Sequence, residues 1–540
     1  MSIKPPLLVL PINTADSGFY TGFSRAVTLS SKFLVGSLIV WALFLPEQAG
    51  AILNAMQSFI LNQFAAWYVW MLAAFVATSL CLAVWPAAGK LKLGQPDDEP
   101  EFSRFSWYSM MFSAGIGVGM LTWAIAEPVT HLGNSPEVIQ GLATSGAVDN
   151  LRNAYKWSFL NWGISPWSCY VVVGLSMAYF SYRRGLPLTV RSSLTPLFGK
   201  SMSGGLGHVV DIVAVVATIL GAAQTLGFGV EQLVAGMHRI GLGEWLLNSA
   251  GKASPAAILA AISLITVATI ASAFSGVGKG IKWLSNINLS LSIVLLSFFL
   301  IFGSTWFGLK YLALGLFDYI TQLPSLLTTV WSNDGSIIGN QLSTWQSEWT
   351  VFYFAWCVAF APFVGMFLAR ISKGRTIREF VLGALIVPSL MSFVWFTWAG
   401  GTAIDLELSG IAGGVISDAG NGDKIFAMID VLLSPGFALV MSILIVVLLM
   451  TYLVTTADSA VLVINTISAG GEEGEKARSH IVVWGLALGG MVAALMLAGG
   501  LEAIKTSMVV GALPFSIVMV LMGISVVKAI YRDGIRGIKE

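Results

Sequence analysis

The chain has 540 residues, 56% of them hydrophobic and only 11% charged, with a net charge of +1 and a mean hydropathy of +0.80. A soluble globular protein carries roughly twice that charged fraction, so composition excludes a water-solvated fold. No basic block is long enough to grip the phosphates of a nucleic acid.

Residues 1–29 are mixed and polar, and no small-residue cleavage site follows the first apolar run, so a cytoplasmic N-terminal segment is expected, not a signal peptide. Twelve apolar runs follow, each near the roughly 20 residues a helix needs to cross a bilayer. They lie at 30–48, 66–86, 106–127, 155–181, 208–236, 256–274, 284–308, 346–370, 379–400, 436–465, 480–499 and 507–529. Between the seventh and eighth, 310–344 holds the amphipathic run Tyr311–Leu327 and the turn Ser332-Asn333-Asp334-Gly335. It reads as an interfacial helix and loop lying on the membrane. With the N-terminus inside, most of the 29 Lys and Arg fall on the cytoplasmic side, among them Arg183, Arg184, Arg191, Arg370, Lys373, Arg375 and Arg378. That bias obeys the positive-inside rule and places both termini in the cytoplasm. The expected fold is an all-α polytopic membrane protein of twelve transmembrane helices, and 57 Gly and 19 Trp suit helices packed in lipid.

Two spans look interrupted. The third carries Gly115, Gly117 and Gly119 at alternate positions; the eighth reads Ala361-Pro362-Phe363-Val364-Gly365, where Pro362 removes a backbone donor. The glycines either permit close helix packing or mark breaks. Breaks five spans apart predict two inverted five-helix repeats, 106–309 and 345–530, with 30–105 as two accessory helices and 531–540 as a short cytoplasmic tail.

Span 4 contains Asn161-Trp162-Gly163-Ile164-Ser165-Pro166-Trp167-Ser168-Cys169-Tyr170. On an ideal helix Trp162, Trp167 and Tyr170 share an arc of about 140°. In span 8, Phe352, Trp356 and Phe360 form a stripe at i, i+4 and i+8. Two facing stripes would hold a methylated cation by cation–π attraction, each ring contributing about 0.5–2 kcal/mol. A box without a carboxylate suits a zwitterion. The alternatives are core packing or an interfacial belt, although belt residues sit near span ends. Free N–H groups at the Gly115–Gly119 break would take the substrate's carboxylate. In span 10, the hydroxyls of Thr455 and Thr456, with carbonyls freed at the glycine break, either offer neutral oxygens to Na⁺ or glue helices together.

The acids Glu127, Asp211, Glu231 and Asp458 fall in spans, where a charge is a functional hypothesis by default. Glu127 and Asp211 are read as lying near span ends within reach of water, and Asp458 as deeper, bonding backbone or Arg370. His131, His208, His238 and His480 are read in loops or at span ends, which gives a proton relay little footing. Cys81, Cys169 and Cys357 lie inside apolar stretches, so no disulfide framework is expected. There is no Walker loop, Gly-x-Ser-x-Gly, His-Glu-x-x-His or metal-ligand cluster in the sequence, so neither ATP drive nor common enzyme chemistry has a foothold and no cofactor is expected.

The runs Gly115–Pro128 (GIGVGMLTWAIAEP) and Ala361–Phe380 (APFVGMFLARISKGRTIREF), the W-x4-W-x2-Y pattern of span 4 and Thr455–Ser459 (TTADS) resemble the betaine/choline/carnitine transporter family. The resemblance runs from about residue 30 to the end of span 12. It implies a LeuT-like core of two inverted five-helix repeats, usually in a trimer in the bacterial inner membrane, moving an onium substrate by alternating access. By resemblance the aromatic box maps to Trp162, Trp167 and Tyr170, with Trp356, Cys357 and Phe360 where the family has W-W-x-x-W. Loss of one ring and shrinkage of another make dimethylsulfoniopropionate a candidate beside glycine betaine. Sodium-coupled relatives imply a site from the carbonyls of Ser113, Ile116 and Tyr452 with the hydroxyls of Thr455 and Thr456. For a second sodium site Thr218 and Phe363 match, but Ala222 replaces the second threonine. The short tail implies weak tail-based osmotic control. Sodium symport of a methylated onium zwitterion is the expected function; a proton-coupled or exchange-type choline or carnitine carrier is the alternative, and a channel or membrane enzyme has less support.

Overall fold

Apolar runs in lipid must satisfy their own backbone, which leaves helices or closed barrels, and the computed structural model is helical. It describes residues 9–115, 117–275, 282–472 and 478–537, with side chains at all of these except 112–115, 275, 282 and 534–537. No β-strand occurs among the described residues, where isolated bridges are the only extended pairing.

Helices α1 (Arg25–Phe44) and α2 (Pro46–Val84) come first, with Pro46 in the first turn of α2, where its missing N–H is no loss. The third predicted run is two helices, α3 (Arg104–Gly115) and α4 (Val118–Gly133). The fourth is also two, α5 (Leu151–Trp162) and α6 (Ile164–Ala178), parted at Gly163. Then come α7 (Gly205–Arg239), α8 (Pro255–Ser275), α9 (Lys282–Phe302) and α10 (Thr305–Thr328). Span 8 is assembled from α11 (Ile337–Gln346), a π turn over Ser347–Val351 and α12 (Phe352–Ile371). Helix α13 (Ile377–Trp395) opens with Thr376 accepting from the Glu379 N–H, and passes through a π turn at Phe396–Gly400 into α14 (Gly401–Leu408). The chain ends with α15 (Pro435–Ser468) and α16 (Arg478–Gly537), the latter kinked by non-helical Gly499 and Gly500.

Ten helical stretches among the described residues are long and apolar enough to cross a membrane. The last covers both the eleventh and twelfth predicted runs across its kink, and the third run is absent from the ten because its halves have only 12 and 16 residues. Helices α7 and α15, with 35 and 34 residues, fall at the same place in the two predicted repeats and pack on each other.

Burial ranks the spans. The apolar windows of 148–183 and 337–371 are 89% and 83% buried, against 28% for Arg25–Phe44, so spans 4 and 8 are central and α1 is peripheral. Helices α6 and α12 cross at two glycines: a Cβ on Gly174 would stand 3.0 Å from the Gly365 carbonyl oxygen. The expected break at Pro362 does not occur. Pro362 sits inside unbroken α12, and the irregularity of span 8 lies upstream in the π turn. Losing one N–H is tolerated where neighbouring helices enclose the segment on all sides.

Helix α10 covers the first part of the segment expected to be interfacial, though it begins at Thr305, ahead of the predicted start. Its buried residues Gly308, Tyr311, Gly315, Asp318 and Tyr319 recur every three or four positions, while Trp306, Phe317 and Ile320 face outward. Asp318 accepts both Arg152 nitrogens, at 2.7 and 2.6 Å, and this fixes α10 across α5.

Candidate functional site

The site grows from two helix breaks. Helix α3 ends at Gly115, and α4 starts at Val118 behind Gly117, whose backbone is extended (φ −143°, ψ −158°). A helix start presents unpaired N–H groups and positive dipole. Gly119, in that first turn, lies under the ring system of span 4: a Cβ there would be 2.8 Å from the Trp162 ring and 3.7 Å from Trp356. Trp162 and Trp356 meet edge to face with centroids 6.2 Å apart. Tyr353 and Phe396 flank Trp162, each at 5.5 Å, and Phe228 of α7 reaches Trp356 at 5.8 Å. The structure therefore brings Gly119, Trp162 and Trp356 together, with helix-start donors beside aromatic faces. That pairing suits a carboxylate and a methylated cation on one small molecule.

Trp167 and Tyr170 form a separate pair. Gly163 ends α5, so the ideal-helix arc predicted for Trp162, Trp167 and Tyr170 is broken after its first member. Trp167 meets Tyr170 at 5.2 Å, and the Tyr170 hydroxyl lies against the Cys357 thiol. One turn further along α12, Phe360 meets Phe363 edge to face at 4.8 Å beside the close approach of α7 at Gly221. The aromatic residues form two groups stepped along α12, the first at Trp356 and the second at Cys357 and Phe360.

For the ion, Thr455 donates to the Thr451 and Tyr452 carbonyls, each at 3.0 Å, and accepts from Asn288 of α9 at 3.0 Å. Thr456 is half-buried beside it. These are neutral oxygen donors, chemically suited to Na⁺. Leu453 of α15 and Val118 of α4 both press on Gly229 of α7, which sets span 10 next to the glycine break. Ile116 lies outside the described residues, and Ser113 and Gly115 are described only as helix backbone. Among the described residues no group of three or more His, Cys, Asp or Glu could hold a metal ion. Thr218 bonds the Ala214 carbonyl within its own helix at 2.8 Å, and it and Phe363 sit on helices in contact at Gly221.

The sequence reading misplaced several polar groups. Glu127 and Asp211 are fully buried, out of reach of water. Asp211 pairs with fully buried Arg191 at 2.5 Å and accepts from Thr189. Glu127 accepts from Trp162 Nε1 at 2.6 Å and Asn161 Nδ2 at 2.8 Å, and faces His131 Nε2 at 3.3 Å. His131 is at the span end, as expected, in the last turn of α4, and is buried there. Asp458 accepts from Ser272 at 2.5 Å and Ser459 at 3.1 Å, and Arg370 donates to Thr466. Reading missed Glu127, Tyr353, Phe228 and Phe396 as site residues. The available signal for Glu127 was its spacing: it is eight residues from Gly119, about two turns along the same face.

A family model described as BCCT, betaine/carnitine/choline family transporter, matches residues 26–535. The chain is 33% identical over 504 residues to the glycine betaine transporter OpuD of Bacillus subtilis strain 168, covering 93% of each chain. It is 34% identical over 498 residues to the ectoine/hydroxyectoine transporter of Virgibacillus pantothenticus, covering 91% of this chain and 93% of the relative. A transporter of Haemophilus influenzae described as uncharacterized is 36% identical over 515 residues, or 95% of this chain and 74% of the relative.

Proposed function

The chain belongs to the betaine/carnitine/choline transporter family, and on that premise we propose that it imports a small methylated onium zwitterion, glycine betaine or dimethylsulfoniopropionate, by sodium symport and alternating access. It is a multi-pass membrane transporter and not an enzyme. One observation carries the substrate class: Trp162 and Trp356 converge on Gly119 at the start of α4, so an onium and a carboxylate have adjacent partners. In operation the helix-start N–H groups orient the carboxylate, and the rings enclose the methyl groups and exclude water. The relatives named for betaine and ectoine support a zwitterion. The neutral oxygens of Tyr452, Thr455 and Thr456 support sodium as the coupling ion. The same reading has the protein act as a homotrimer in a bacterial inner membrane with both termini cytoplasmic.

The test is uptake of labelled glycine betaine into proteoliposomes under a sodium gradient or a proton gradient alone, with choline, carnitine, ectoine and dimethylsulfoniopropionate as competitors. Sodium-driven accumulation with an onium zwitterion as the strongest competitor is the expected result. Accumulation under the proton gradient alone, or counterflow without accumulation, replaces this reading with the choline or carnitine alternative.

A further inference from the structure

We infer that Gln224 contacts the substrate, and that through it the site favours a zwitterion whose cationic head keeps one N–H over a fully methylated one. The inference rests on the aromatic-site reading above and deepens it by naming a polar contact and the head that this contact selects.

Gln224 shares one ridge of α7 with Phe228 and Gln232, at i, i+4 and i+8. Phe228, the middle member, reaches Trp356 at 5.8 Å and Trp123 of α4 at 5.2 Å. Gln232, one turn beyond, accepts the Thr122 hydroxyl of α4 at 2.8 Å. Gly221, one turn before Gln224, is pressed on α12: a Cβ there would stand 2.9 Å from the Ala359 carbonyl carbon and 3.1 Å from the Phe360 nitrogen. This side of α7 therefore meets α4 and α12 above and below Gln224. Its position falls between the level of Trp356 and the level of Phe360, which is the step between the two aromatic groups of α12.

The two glutamines of the ridge differ in their partners. Gln232 Oε1 is taken by Thr122. Gln224 is fully buried, and among the described residues neither its Oε1 nor its Nε2 has a hydrogen-bond partner. The neighbouring hydroxyl of Thr225 does not serve it, because Thr225 turns back on its own helix to the Gly221 carbonyl. Enclosed polar atoms in native proteins are nearly always paired, and an exception calls for a reason. A side chain that only filled space between α7 and α12 would do so better as Met or Leu. An amide with both halves unpaired matches a partner that brings one acceptor and one donor.

A trimethylammonium or dimethylsulfonium zwitterion brings only the acceptor. Its carboxylate takes a hydrogen bond from Nε2 and leaves Oε1 unpaired. A dimethylammonium head with a carboxylate one carbon away brings both. Its N–H donates to Oε1, and Nε2 donates to one carboxylate oxygen. The second carboxylate oxygen is left for the N–H groups at the start of α4. Two methyl groups still face Trp162 and Trp356. The bond from the charged N–H is charge-assisted and short-ranged, so it separates two heads of equal charge and nearly equal size.

The experiment compares glycine betaine with N,N-dimethylglycine, which differ by one methyl group, binding to the purified full chain at neutral pH and fixed high sodium, followed by tryptophan fluorescence. For the unaltered protein we expect dimethylglycine to bind about tenfold more tightly. Gln224→Met keeps the length of the side chain without its polar atoms. It should lose that preference, and without ligand it should melt at the same temperature or higher. Equal or tighter binding of glycine betaine by the unaltered protein overturns the inference, whether or not the variant folds. A preference kept intact in Gln224→Met overturns it too. If Trp356→Ala abolishes binding of both ligands in either case, the aromatic-site reading stands and the Gln224 contact alone falls. If Trp356→Ala binds both as the unaltered protein does, the aromatic site and the contact built on it both fall.

Discussion

At the scale of single residues, the site depends on a missing side chain as much as on the rings. Gly119 lets Trp162 lie on the backbone of α4, and Trp162 cannot swing away because its Nε1 is held by Glu127. In Gly119→Ala the added methyl meets a clamped ring. Overpacking of this kind costs about 1–3 kcal/mol, so apparent KM for glycine betaine should rise about tenfold or more. Gly50→Ala, where a Cβ meets nothing within 4 Å, is the control and should transport normally. Equal KM values for the two variants would refute the close packing. The ion site gives a second residue-scale expectation. Replacing Thr455 and Thr456 together by Ala removes two hydroxyls from the proposed sodium ligands and should raise the sodium concentration for half-maximal uptake several-fold. An unchanged sodium curve would make those hydroxyls helix glue. Much of this site was legible in the sequence, because Trp162, Trp356 and the alternating glycines stand out in a line of residues. Glu127 was not, because the adjacent Pro128 looks like a helix end; α4 instead runs on to Gly133 and carries the carboxylate inside.

At the scale of elements, the break between the two half-helices of span 4 is bridged by α10, a contact that sequence reading did not anticipate. Gly163 cannot bear a Cβ: one would stand 2.4 Å from the Phe159 carbonyl oxygen and 2.7 Å from both Phe393 and the Tyr319 hydroxyl. That hydroxyl accepts the Ile164 N–H at 3.1 Å, a donor that the break releases from its own helix. Tyr319→Phe keeps the ring and strips the acceptor, leaving a buried N–H unpaired at a cost of about 1–3 kcal/mol. Thermal unfolding of the purified protein should shift down by a few degrees, and uptake should slow because the break that aims Trp162 is loosened. Unchanged melting and unchanged uptake would show that this hydrogen bond supports nothing. The positions of the spans were readable because hydropathy reports length and burial directly. Where a span breaks was not, because a proline enclosed by helices stays helical, as at Pro362, while one glycine at a crossing can end a helix, as at Gly163.

At the scale of the whole molecule, the proposed alternating access would require the predicted repeats to move against each other, so contacts between them would break or travel with the motion. One contact ties the residues just after the second predicted repeat to span 4 of the first. Asp533, near the end of α16, accepts from both Arg184 and Tyr179 at the end of span 4. Its partners Tyr179 and Arg184 bracket Ser181 and Tyr182, which with Leu186, Ile12 and Gly470 line a cavity of about 500 Å³. The Arg184 and Asp533 side chains are only 10% and 11% exposed. Removing one partner of a buried pair costs up to about 3–5 kcal/mol, less for Asp533 without Arg184 because Tyr179 and Arg532, 3.9 Å away, remain. Asp533→Asn and Arg184→Gln should each lower the unfolding temperature, and the exchanged pair Arg184→Asp with Asp533→Arg should recover a good part of the loss. If the contact also closes the cavity, breaking it shifts the population towards the state open there. A cysteine introduced as Ser181→Cys at the cavity wall should then react faster with a membrane-impermeant maleimide in the Asp533→Asn background than in the unaltered one. Recovery of stability in the exchanged pair without faster labelling of the single variant would make the contact a structural clamp that travels with the motion; both effects together would make it a latch that each transport cycle has to open.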